Sequence, residues 1–126
     1  MDWFNGYRLI GGQAVEHSDG FIFGSDDRWS LKYSDEKGIV TVVCDDASIT
    51  TMVETATMRR WTKDMSPIRL SDEEISVITE RIKAGWRLYS STNMRIVSKP
   101  TEHAAPPPRV LTWSLYGGKR RPILIP

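Results

Sequence analysis

The sequence predicts an α+β fold: a mainly antiparallel β-sheet, one principal α-helix over about residues 72–88 packed on one face, and a C-terminal hairpin. Three observations predict it. Residues 7–61 are short β-branched and aromatic runs broken by turn dipeptides. A single stretch has helical periodicity and its own cap. After a proline tract, two-residue alternation resumes around Gly117-Gly118.

The elements follow in chain order. Tyr7–Ile10 is a short apolar run closed by Gly11-Gly12, and 14–17 reads as a second short strand. Asp19-Gly20 before Phe21-Ile22-Phe23 places a hairpin around 18–20. Trp29, Leu31 and Tyr33 alternate with Ser30 and Lys32, which puts Trp29 on an inward face. Ser34–Gly38 is a polar loop ending in glycine. Ile39–Cys44 is almost wholly apolar, as in a central strand buried on both faces. Residues 48–61, rich in Thr and Val, form one or two strands, and neither parity is cleanly apolar.

Ser71 and Glu74 have capping-box spacing, with Leu70 and Ile75 placed as a hydrophobic staple. Asp72, Glu73 and Glu74 suit the positive end of the helix dipole, and Arg81, Lys83 and Arg87 the negative end. Ile75, Ile78, Ile82 and Trp86 make one apolar stripe, so the helix covers one face of a sheet. Gly85 costs the helix about 1 kcal/mol against alanine, and it marks either fraying or a close helix–sheet approach. Residues 93–97 read as a return strand. The domain plan is thus an α+β domain over 1–97, a proline-rich linker over 98–108, and a hairpin or arm over 109–126 belonging to the same domain. Pro122 lacks an amide donor, so the last segment is either an edge strand or not a strand.

Several function classes have no support. With 126 residues, 40% hydrophobic and 26% charged, the chain has the composition of one folded domain. There is no apolar run long enough for a transmembrane helix, no signal peptide is expected at Met1–Gly12, and a cytoplasmic location is the default. One cysteine and two histidines exclude a disulfide scaffold and the common structural zinc sites. A nucleophile elbow, a phosphate-binding loop and an EF-hand are all missing. Cys44 reads as a core thiol rather than the partner of His17. No catalytic residue, cofactor or metal is expected.

Charge is the more informative feature. The net charge of +1 hides −6 over residues 1–58 and +7 over 59–126. The acidic half supplies Asp26, Asp27, Asp35, Glu36, Asp45 and Asp46 as candidate partner-binding loops. If the strands on either side of 34–38 form one hairpin, Asp26-Asp27 and Asp45-Asp46 lie at the same end of it. Four carboxylates there need a cation or a basic partner. A carboxylate-bound metal enzyme is one alternative drawn from that geometry. Another is nucleic-acid binding through Trp113, Lys119, Arg120 and Arg121, since basic groups beside aromatic faces suit phosphate contact and base stacking. Trp61, set among Arg59, Arg60 and Lys63, is a candidate interface anchor.

Residues 60–97 also carry a resemblance. Arg60-Trp61, a variable loop, Leu70-Ser71-Asp72-Glu73-Glu74, then Ile78, Arg81-Ile82 and Ala84, then a strand, resembles small bacterial immunity proteins of polymorphic-toxin, contact-dependent inhibition systems. It covers about a third of the chain, and residues 98–126 lie beyond it. The resemblance implies an α+β domain that binds and blocks one cognate protein toxin without enzymatic activity. Acidic loops would then fill the active site of a basic nuclease and steer its association. A proline hinge before a terminal hairpin also suits a homodimer made through the C-terminal arm.

Overall fold

The computed structural model describes residues 4–10, 14–27, 29–46, 49–98, 105–108, 110–116 and 119–124, with Asp27, Asp46 and the two strands after residue 109 described by backbone. The described residues form an α+β arrangement of curled, mostly antiparallel sheet and one helix. The strands are β1 (Tyr7–Ile10), β2 (Ala14–His17), β3 (Ile22–Asp27), β4 (Ser30–Asp35), β5 (Gly38–Asp46), β6 (Thr50–Trp61) and β7 (Pro67–Arg69). The helix α1 (Asp72–Tyr89) leads to β8 (Asn93–Val97), and β9 (Val110–Tyr116) pairs with β10 (Lys119–Leu124). Strands β1 to β7 are neighbours in sequence order and antiparallel. β8 runs parallel to the first half of β6, and β9–β10 is a separate two-stranded sheet.

The expected hairpins form. β2 and β3 join through Ser18–Gly20, where Gly20 has φ 102°, and β4 and β5 join at Gly38, φ 130°. One further turn opens the fold: Asn5 and Gly6 have φ 52° and 87°, and Phe4 and Tyr7 exchange both backbone hydrogen bonds (2.6 and 2.9 Å). That is a type I′ turn, for which Asn-Gly is the preferred pair.

β6 is one strand with a deep irregularity. Its pairing with β5 jumps from Thr41↔Arg59 to Val43↔Glu54. Thr57 stitches the bulge: its hydroxyl accepts from the Val43 amide at 2.8 Å and donates to the Glu54 carbonyl at 2.7 Å. Thr51, Val53 and Thr55 are buried before the bulge and Met58 after it, so the inward parity switches within the strand. That switch is why neither parity read as apolar.

α1 packs on the inner face, against β1 and β2 at one side and β6 and β8 at the other. The capping box is present, with Ser71 Oγ accepting from the Glu74 amide and the Glu74 carboxylate accepting from the Ser71 amide. Ile78, Ile82 and Trp86 join Val15, Phe23, Tyr33, Val40, Val53 and Met58 in one core. Gly85 marks close approach: a Cβ there would lie 2.8 Å from the Tyr7 ring and 3.0 Å from Phe23. Among the described residues no helix is long and apolar enough to cross a membrane.

Two expectations for β4 need correction. Trp29 is not in the core: it occupies the turn before β4 and is 53% exposed. β4 also does not present one face inward and one outward, because Ser30 and Lys32, on the outer parity, are fully buried. The reason is that the outer face of the sheet is covered too. Residues Ile10, Ala14, Gly24, Lys32 and Thr41 are successive register partners across five strands, and all are buried. Part of the cover comes from the tract expected as a linker. The Ala105 amide donates to the Thr57 carbonyl (3.1 Å), and Thr41 Oγ1 donates to the Pro106 carbonyl (2.9 Å).

Candidate functional site

The curled sheet has two ends. Six-residue β4 separates them by about 17 Å at ~3.3 Å per residue. One end holds the β3–β4 and β5–β6 turns, the other the β2–β3 and β4–β5 turns and the start of α1.

At the first end, the register brings Asp26-Asp27 and Asp45-Asp46 together as expected. Asp27 pairs with Ser30, Ser30 with Val43, and Asp45 with Met52. Asp45 is exposed and Asp26 half-buried. Asp26 also acts inward. Burial of the Lys32 ammonium pulls its pKa down to about 8, and the Asp26 carboxylate opposes that shift. Trp29 stands at the same end, its carbonyl accepting from the Cys44 amide at 2.9 Å. Ile49, in the β5–β6 turn, is 72% exposed. An exposed tryptophan and isoleucine thus stand at the same end as the strand-end carboxylates, and tryptophan is a residue type enriched at interface hot spots. Sequence reading missed Trp29 because it extended the β4 alternation one residue too far; the Asp26-Asp27 pair before it was the turn signal. Among the described residues, no three His, Cys, Asp or Glu side chains gather as a metal site.

Asp35 and Glu36 lie at the opposite end, so the six acidic candidates divide into two groups. A groove of about 450 Å³ opens there between the β4–β5 turn and the first two turns of α1, lined by residues that include Asp35, Glu36, Lys37, Arg60, Glu74 and Arg81. Its charges are largely spent on each other. Arg60 reaches Asp35 at 3.2 Å and Glu74 at 3.5 Å. Asp35 also accepts from the Tyr33 hydroxyl (3.0 Å) and the Lys37 amide (2.9 Å). Arg81 donates to the Tyr33 oxygen at 2.6 Å and lies over the Phe21 ring. Burial pushes the Tyr33 phenol up to about 12, with Arg81 opposing and Asp35 reinforcing the rise. Hydrogen bonding to the Ser71 amide lowers the Glu74 carboxyl, helped by Arg60 and Lys37 and opposed by partial desolvation. His17 sits at this end, stacked on Phe21, while Cys44 lies at the other.

Trp61 is half-buried, and its indole N–H donates to Thr41 Oγ1 at 2.7 Å. It therefore holds the hydroxyl that fixes Pro106. In the β9–β10 register Lys119 pairs with Tyr116, Arg120 with Leu115, Arg121 with Ser114 and Pro122 with Trp113. Lys119 and Arg121 thus share one face of the hairpin, and Arg120 shares the other with Trp113. Comparison with known protein families, curated proteins and solved structures gives no match.

Proposed function

We propose that the chain is a non-enzymatic binding protein of the immunity type, which acts in the cytoplasm by occupying a cognate protein toxin through the acidic end of its sheet. The observation that supports this function is the exposed Trp29 beside Asp26 and Asp45, with Ile49 in the neighbouring turn. A basic partner surface would complement the strand-end carboxylates, and the indole would supply the apolar contact that charge alone does not. The second acidic pair, Asp35-Glu36, contributes less, because Asp35 is held by Arg60, Tyr33 and Lys37.

The test is co-purification with the toxin encoded next to the chain's own gene. The wild-type chain should form a stoichiometric complex and suppress the toxin's activity. Reversal of Asp27, Asp45 and Asp46 to lysine, with Asp26 kept because it faces the buried Lys32, should abolish capture while leaving the circular dichroism spectrum intact. Unchanged capture by that variant overturns this function.

A further inference from the structure

We infer that the C-terminal β9–β10 hairpin is an intramolecular cover for the outer face of the sheet, docked along the row Ile10–Ala14–Gly24–Lys32–Thr41. That row is buried from end to end, and Ile10, Ala14 and Ile22 form a second apolar cluster separate from the helix-side core. Ala14 and Gly24 are small and adjacent, so the row is a shallow trough flanked by larger residues. At the β5 end, Thr41 and Thr57 hold Pro106 and Ala105, and Pro108 is buried in turn. β9 begins at Val110, two residues later, so the chain enters the hairpin already seated on the outer face. Leu111, Trp113 and Leu115 fall on one parity of β9, and Pro122 is the register partner of Trp113. This gives the hairpin one mainly apolar face for the Ile10–Ala14–Ile22 cluster.

The test uses the full chain with one added thiol, Ala14→Cys, beside the native Cys44. Cys44 is 5% exposed on the helix side and serves as an internal control for the main core. In a monomer, the introduced thiol should react with a maleimide at least about a hundredfold more slowly than a free thiol, reporting a local opening equilibrium. Adding Trp113→Asp should accelerate labelling of the introduced thiol by about tenfold or more while Cys44 stays protected. Should Trp113→Asp open both thiols, Leu115→Ala is scored in its place by the same criterion. Free reactivity of the introduced thiol in the intact chain, or protection that survives the hairpin variants, overturns the assignment. Protection found only in a dimer also overturns it, in favour of a hairpin exchanged between two copies.

Discussion

The two ends of the sheet have similar composition and opposite states. Each has acidic residues at β-turns, yet at the groove end Asp35 and Glu74 are tied to Arg60, and Tyr33 bridges Asp35 to Arg81. At the Trp29 end Asp45 faces solvent beside an exposed indole. A carboxylate count cannot separate these cases. The separation comes from where the second half of the chain places its cations: Arg60 at the end of β6 and Arg81 in α1 both come to the groove end. The second end is therefore an internal network that ties the helix to the sheet, whereas the first leaves Asp45 and an indole facing solvent.

The largest effect should come from breaking the groove end. Arg60→Ala leaves Asp35 and Glu74 without their shared cation. The Arg60 and Asp35 side chains are only 12% and 13% exposed. A loss of about 3 kcal/mol is expected, read by urea denaturation, since removing one partner strands the other in a poorly solvated site. Partner capture by the remaining folded protein should not change. A loss below about 1 kcal/mol would mean this network resembles a surface ion pair, and the contrast between the ends would collapse.

A second effect ties the acidic end to the sheet interior. In the folded protein Lys32 loses its proton at about pH 8, against its ordinary 10.5. Between those values the unfolded chain holds more protons than the folded one, so stability rises with pH; below about 8 the folded state bears the full cost of a buried ammonium. Urea midpoints should therefore climb between about pH 8 and 9.5, below the range where Tyr33 reverses the trend. Lys32→Met should flatten the climb. An equal climb in that variant would assign it to another group. Smaller still, Tyr33→Phe should cost about 1–2 kcal/mol by removing the hydroxyl between Arg81 and Asp35.

Much of this was legible in the chain, and the exceptions share a cause. The helix and its cap follow from contacts within four residues, and the hairpins from turn dipeptides, so local rules find them. Asn5-Gly6 is a turn dipeptide of the same kind. Lys32 and the β6 bulge were not locally readable. Whether Lys32 is buried depends on a cover assembled partly from residues 105–108, and the parity switch depends on Thr57 bonding to Val43, 14 residues away. Asp26-Asp27 and Asp45-Asp46 could be placed together because they depend on one hairpin. The pairing of Asp35 with Arg60, 25 residues apart, could not.

The smallest effect on stability should accompany the largest effect on binding. Trp29 lies in a turn and is half exposed, so Trp29→Ala should cost no more than about 1 kcal/mol of folding free energy. If its indole is the anchor of the interface, the same change should weaken toxin affinity by about 2 kcal/mol, roughly thirtyfold. Trp61→Ala is the matched control. It removes the N–H that holds Thr41 and, through it, Pro106, so it should lower the unfolding midpoint and spare affinity. Calorimetric titration of both variants, with urea melts alongside, therefore gives opposite patterns for two tryptophans of one sheet. The same pattern for both would place recognition somewhere other than the acidic end.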